Sequence, residues 1–385
     1  ILQHPEKHII MTMSYPKKIV LLCIINGLKK NIHLQIKESL LRKDWKHLML
    51  SNTRAKILSI DYRFIRRTII NLCARRPKDL EQAIMIGDRL NSSLMNSPLR
   101  DFFKFSIPNN ISTSLFDLEF PSPLIAASFK DDIDALFQWK LLGLGGITYK
   151  TVLKTPSDGN KRPRIQEIQY NSHYGLINSL GLPTKGLEHF VSNFDNKQIL
   201  SFNRPVGISI GGNNLDEYLS VFSKIHLKVH SLDFKKVFYE INISCPNTQD
   251  GKCLSDNLEN LSSLLTAIRS VSSNVVIVKV SPDSSNEDVL NICELLSNFE
   301  KCAINVGNTK HISAQSVGLN ANEFSEEGGG LSGIALFKNT LKRVELVHNN
   351  SKIPIIATTT SNSIKVKPLL YFLLIFIFPF FFFYY

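Results

Sequence analysis

From residue 111 onward the sequence predicts an α/β fold, a parallel (β/α)8 TIM barrel. Three observations carry that expectation. Short apolar or β-branched runs recur along the chain, helix-sized segments of mixed polarity separate them, and a stretch of about 250 residues suits eight such units better than a doubly wound sheet.

Seven strands are expected in order, at 123–128, 146–151, 206–211, 238–244, 275–281, 303–307 and 353–358. Each is a short apolar run bounded by polar or turn-forming residues, the pattern of a strand buried on both faces of a parallel sheet. Helical patterns lie between them at 131–142, 216–226, 258–271, 286–298 and 333–348. The eighth strand is missing or replaced. Where it belongs, residues 361–385 form an apolar, Phe-rich tail whose stretch after Pro368, LLYFLLIFIFPFFFFYY, is uncharged and at the lower edge of membrane-spanning length. Pro379 and the runs of Phe weaken a helix there, and an artefact of gene assignment explains the tail better than an anchor does. A seven-strand barrel would leave the edges of its first and seventh strands unpaired and prone to aggregation.

The net charge of +12 in 385 residues is confined to residues 1–110, which carry 20 basic and 8 acidic side chains. That stretch is expected as a basic extension, helical at 33–50 and 79–94 or foreign to the domain, ahead of a barrel domain at 111–360. It lacks aromatics at stacking spacing, which argues against nucleic acid as a partner. The six cysteines form no C-x-x-C pair and no framework, which argues against a disulfide scaffold or a metal site and fits a reducing, cytoplasmic setting. Membrane association would require the tail.

In a barrel the reacting groups stand at the C-terminal ends of strands, so polar residues there are the candidates. Ala127 and Ser128 are small enough to let a flat ligand approach the backbone, and Lys150 ends the second strand. The turn sequences GNKRPR (159–164) and INSLGLP (177–183) follow, the second carrying Asn178. The fourth strand runs into Asn242, Cys245 and Asn247, two amides and a thiol around a proline-stiffened turn. Amides suit a ring bearing imide groups, and a loop cysteine serves as a base once it is a thiolate. Lys279 interrupts a fully apolar strand, where an ammonium calls for an anionic or electron-rich partner. Asn305 and Asn308 end the sixth strand. Gly329, Gly330, Ser332 and Gly333 lie in a glycine-rich run expected to present amide groups to an anion ahead of the next helix.

Taken together and in this order, GNKRPR, INSLGLP, INISCPNT and GGGLSG resemble the dihydroorotate dehydrogenase family over residues 111–358. The resemblance implies an FMN-containing barrel that oxidises dihydroorotate to orotate in pyrimidine synthesis. It implies Cys245 as the base that takes the C5 proton, under a lid at 248–255. It implies Asn178, Asn242 and Asn247 as substrate contacts, with Asn305 or Asn308 as a fourth. Lys150 would stand near flavin and substrate, Lys279 beside the isoalloxazine ring, and Ala127, Ser128 and the glycine-rich run against the cofactor.

Members of the family with a Cys base are generally cytosolic, whereas quinone-linked, membrane-associated members use Ser and carry an N-terminal helical extension. Cys245 and INSLGLP therefore imply fumarate or another soluble acceptor rather than a quinone, and allow a homodimer. Two departures stand out. Phe129 occupies a position usually held by Gly, and Thr359-Thr360-Ser361 replaces a Gly-Gly pair expected at the phosphate end of the flavin. They leave two alternatives open, an inactive remnant that holds FMN poorly and another FMN barrel such as a dihydropyrimidine-type dehydrogenase.

Overall fold

The computed structural model describes the backbone of residues 9–13 and, beyond it, residues 79–108, 110–244 and 257–359. The seven expected strands form, as β4 (Leu124–Ala126), β5 (Gly146–Val152), β8 (Val206–Ile210), β9 (Val237–Asn242), β10 (Val275–Val280), β11 (Cys302–Val306) and β14 (Ile355–Thr359). They pair in parallel in that order, and the sheet closes.

Closure comes from an unexpected place. The eighth position is taken by β1 (Ile9–Met13), which lies parallel to β14 from Ile9↔Ile355 to Met13↔Thr359 and parallel to β4 at Met11↔Leu124 and Thr12↔Ile125. The expectation that the first and seventh strands have bare edges is thereby corrected: the missing strand is replaced from the start of the chain. Ile-Ile-Met-Thr-Met is five residues of β-compatible sequence, and its backbone satisfies the ladders of both neighbours, which would otherwise leave unpaired amides and carbonyls.

Helices wrap the outside. They are α2 (Ile133–Leu141), α3 (Gly186–Asn193), α4 (Lys197–Leu200), α5 (Leu215–Ser231), α6 (Leu258–Val271), α7 (Asn286–Ser297) and α8 (Phe337–Asn350), preceded by α1 (Leu80–Met95). Asp132, Asn214 and Ser285 cap the starts of α2, α5 and α7 by accepting from backbone amides, and Ser285 with Asp288 completes a capping box. Their apolar faces, for example Val221, Phe222 and Ile225 of α5 and Leu261, Leu264 and Ile268 of α6, join the outward faces of the strands in the main core. The helical pattern at 33–50 and the tail at 361–385 lie outside the described residues.

The barrel interior changes character along its axis. A hairpin of β2 (Thr113–Leu115) and β3 (Leu118–Phe120) plugs the N-terminal end, where Leu115, Leu118 and Phe120 pack with Ile125, Phe238, Ile277, Ala303 and Ile356. Gly207 belongs to this packing, because a Cβ on it would collide with the Phe238 ring. Two residues further along each strand the inward positions turn polar. Strand periodicity puts Glu240 above Phe238, Lys279 above Ile277, Asn305 above Ala303 and Thr358 above Ile356.

A second sheet was not expected from the sequence. β6 (Ile165–Tyr170) and β7 (His173–Asn178), from the connection after the second barrel strand, join β12 (Lys310–Ser313) and β13 (Gly328–Gly333), from the connection after the sixth. The order is β12-β13-β7-β6, all antiparallel. The reading of GGGLSG as a loop is therefore corrected. It is a strand whose backbone pairs with β12 on one side and β7 on the other, and its glycines are explained by close approach. A Cβ on Gly329 would lie 2.6 Å from the Asn178 carbonyl oxygen, and one on Gly330 would overlap Thr309.

Candidate active site at the C-terminal mouth of the barrel

Asn242, Lys279 and Asn305 form one row across three adjacent strands. Lys279 is the register partner of Asn242 on one side and of Asn305 on the other. All three are buried, and burying such groups in an apolar barrel is tolerated only when each finds partners.

The partners come from the strand ends. Glu240 stands at the centre: its Oε1 accepts from the Ser128 hydroxyl at 2.6 Å and lies 3.9 Å from the Lys279 Nζ, and its Oε2 accepts from Asn305 Nδ2 at 3.1 Å. Lys279 also donates to Ser128 Oγ at 3.3 Å, and Thr358 donates to Asn305 Oδ1 at 2.8 Å. A second chain of bonds starts at Asn242, whose Nδ2 donates to Thr151 Oγ1 at 3.0 Å, with Ser209 a further 3.0 Å away. Asn242 Oδ1 accepts from the Ser244 hydroxyl at 2.6 Å, and Ser244 Oγ accepts from Asn308 Nδ2 at 2.7 Å. Tyr218 of α5 reaches in to donate to the Asn242 backbone carbonyl at 2.8 Å.

The sixth-strand asparagines thus have different places. Asn305 is 1% exposed and spends both ends of its amide on Thr358 and Glu240. Asn308 lies beyond the strand, half-buried at the mouth, and its Oδ1 accepts from Thr309 N. Asn178, at the end of β7, donates through Nδ2 to the Gly330 carbonyl at 3.1 Å, which ties it to β13. Beside it the Ser179 hydroxyl is buried without a partner. Ala127 and Ser128 continue from β4, with the Ala127 carbonyl accepting from Phe129 N at 2.7 Å. In β13, Ser332 Oγ donates to the Leu176 carbonyl, and Gly333 has a φ of 144°. Cys245, Asn247 and the segment 248–255 lie outside the described residues, directly after Ser244.

Lys150 is half-buried on β5. Burial pushes its ammonium below the usual lysine range; Asp131 opposes the shift, Lys130 and Arg164 add to it, and Glu81 opposes it again. The GNKRPR arginines serve structure. Arg164 forms a two-pronged pair with Glu81 at 3.0 and 2.7 Å and donates to the Asn160 carbonyl, while Arg162 reaches Asp79 at 2.9 Å. Both contacts fasten α1 to the connection after the second barrel strand, and Lys130 Nζ adds a 2.5 Å pair to Asp88 of the same helix.

The row of amides and an ammonium at the polar end of the barrel can bind a flat ring bearing imide groups and negative charge. Such donors match the motifs noted in the sequence, and known proteins supply the decisive comparison. Residues 110–363 match the family model for dihydroorotate dehydrogenase. The chain belongs to the dihydroorotate dehydrogenase family. The family's enzymes are flavin oxidoreductases that oxidise dihydroorotate in pyrimidine biosynthesis.

Among relatives, the chain is 28% identical over 316 residues to a dihydroorotate dehydrogenase (quinone) of Wigglesworthia glossinidia brevipalpis, covering 77% of this chain and 89% of that one. It is also 28% identical to a dihydroorotate dehydrogenase B (NAD(+)) catalytic subunit of Pyrococcus furiosus, over 64% of this chain and 78% of the relative. A crystal structure of the Eimeria tenella dihydroorotate dehydrogenase with ferulenol shares the fold, with a TM-score of 0.57 at 19% identity over 77% of this chain and 84% of that one.

Sequence reasoning did not single out Glu240, Thr151, Ser209, Ser244 or Thr358. Glu240 carried a readable signal, being a charge in the apolar strand VFYEIN, two positions before Asn242 and so on the same face. The short hydroxyl side chains carried none, since Ser and Thr at strand ends are common for many reasons. Among the described residues no helix is long and apolar enough to cross a membrane.

Proposed function

We propose that this chain oxidises dihydroorotate to orotate with FMN bound at the C-terminal mouth of the barrel and Cys245 as the base. The observation that carries the reading is the buried row Asn242, Lys279 and Asn305 at the polar end of an otherwise apolar barrel. The donor set fits FMN: Lys279 offers positive charge beside the ring, the amides match imide edges in both directions, and Ala127 and Ser128 leave space for a planar group. Residues after Thr359 would meet the phosphate, and they lie outside the described residues.

FMN, when bound, would supply the acceptor for the hydride that leaves C6 of dihydroorotate. The chain's own residues do the rest. Asn178, Asn242, Asn247 and Asn308 orient the substrate ring, Asn308 being the sixth-strand asparagine at the mouth while Asn305 serves the network below. Cys245 takes the C5 proton, and the Ser244 hydroxyl beside it is committed to Asn242. The run from Gly329 to Gly333 sets the position of Asn178 and lies against the cofactor.

For the electron acceptor, Cys245 and INSLGLP support a soluble molecule such as fumarate, in a cytoplasmic setting. A quinone is the second reading, because the match to the quinone-named relative runs over 316 residues and so extends beyond the stretch of 110–363. One anaerobic experiment tests the whole assignment. Dihydroorotate is expected to bleach the flavin absorbance of the purified protein, and fumarate, NAD(+) and a short-chain quinone are then offered in turn to restore it. Bound FMN that dihydroorotate does not bleach would move the reading to another FMN barrel, and protein that takes up no FMN would make the chain an inactive remnant.

Lys150→Met gives a separate prediction. Because burial lowers the folded-state value below the ordinary 10.5, the charged ammonium destabilises the fold at neutral pH, and that penalty fades as pH rises from the lowered value towards 10.5. The variant is therefore expected to melt higher than wild type at pH 7, with the advantage shrinking at alkaline pH, and to show a raised KM for dihydroorotate. Thermal melts across pH check the first part; a variant that melts lower at pH 7 would show that Lys150 makes a net stabilising contact.

A further inference from the structure

We infer that Glu240 is a positioning residue that holds Lys279 and Asn305 in place and sets the electrostatic potential at the flavin edge. The inference rests on the reading that FMN binds beside Lys279.

Glu240 is 3% exposed and faces the barrel interior, two residues above Phe238. Burying a carboxylate opposite an ammonium costs as much as the pair returns, and an apolar pair of similar volume would serve stability as well or better. The deeper layer of the same barrel shows that alternative in Phe238, Ile277, Ala303 and Ile356. What the carboxylate adds is orientation and charge. It stands within ion-pair range of Lys279 Nζ and accepts from Asn305 Nδ2, while the Ser128 hydroxyl donates to it and accepts from Lys279. One side chain thereby fixes three strand ends, β4, β10 and β11, relative to β9.

The charge has a direction of effect. A full positive charge on Lys279 favours added electrons on a neighbouring ring, and a carboxylate 3.9 Å from Nζ cancels part of that field in a site where water does not screen it. Glu240 therefore keeps the flavin a weaker oxidant than Lys279 alone would make it.

The test compares the FMN-loaded wild type with Glu240→Gln and Glu240→Asp. The midpoint potential is measured by equilibration with reference dyes, and sulfite affinity, which rises as the ring becomes more electron-poor, by titration. E240Q is expected to move the potential to a more positive value and to bind sulfite about tenfold tighter or more. E240D, whose shorter side chain draws the charge back from Lys279, is expected to fall between E240Q and wild type. Variants that melt lower while keeping the wild-type potential and sulfite affinity would reduce Glu240 to a structural group and overturn the inference. Should E240Q fail to retain FMN, E240D carries the test, and an unchanged potential in it has the same meaning. Wild-type protein that binds no FMN, or binds it without bleaching by dihydroorotate, would instead remove the functional reading and the inference with it.

Discussion

Cys245→Ala is expected to leave FMN bound and to slow flavin reduction by dihydroorotate by about 10²- to 10⁴-fold, the usual contribution of a positioned base. Lys279 and the ring contacts other than Asn247 come from strand ends and connections that the substitution does not touch, so binding and chemistry should separate. Among the described residues, the nearest hydroxyl and the thiols are poorly placed to take over. Ser244 donates its hydroxyl to Asn242, and the described cysteines, Cys293 and Cys302, are buried. Burial pushes the Cys293 thiol up to about 11 and raises Cys302 as well, which keeps both as inert thiols. Cys253→Ala should have a small effect by comparison. Single-turnover stopped-flow absorbance reads both variants, and equal losses in the two would assign the effect to the loop at 248–255 rather than to the thiol at position 245.

Thr12→Pro is expected to destabilise the fold by at least about 3 kcal/mol and to drive the protein towards aggregation. Thr12 pairs with Thr358 on one side and Ile125 on the other, so it sits in the interior of a closed sheet. Proline there removes a ladder hydrogen bond and cannot continue a central strand, and the loss of β1 bares the edges of β4 and β14. Thermal unfolding and size-exclusion chromatography measure the effect. A variant that stays monodisperse with an unchanged Tm would mean that Ile9–Met13 does not carry barrel closure.

The seven strands from β4 to β14 were legible because each is a compact apolar run, and a strand covered on both faces has no other way to look. β1 was not legible, for a topological reason. Barrel strands are sought in sequence order, and the gap lay after the seventh strand, whereas Ile9–Met13 stands at the other end of the chain, far ahead of the first expected strand at 123–128. The antiparallel sheet escaped for a chemical reason. GGGLSG contains no β-branched or aromatic residue, and glycine is depleted in strands, yet close packing against the Asn178 carbonyl and Thr309 leaves room for nothing larger. In the candidate site, Asn178, Asn242 and Lys279 stood out because amides and an ammonium end otherwise apolar runs. Glu240 gave the same kind of signal one step deeper, where a charge looks like an anomaly until Lys279 and Asn305 are seen on the neighbouring strands. Asn305 and Asn308 could not be told apart in the sequence because both stand at the end of one strand; the structure puts Asn305 inside the barrel and Asn308 beyond the strand.

In most barrels the connections after the strands can be exchanged one at a time, and this independence lets one scaffold carry many chemistries. Here β7 and β13 make the connections after the second and sixth barrel strands a single inherited unit. Gly330 pairs with Asn178 and Leu331 with Ile177, so an insertion in either connection shifts the register of the other. Recombination that brings in one connection from a distant relative without its mate would therefore displace Asn178. New specificities at this mouth have to arise by paired change in two segments far apart in the gene.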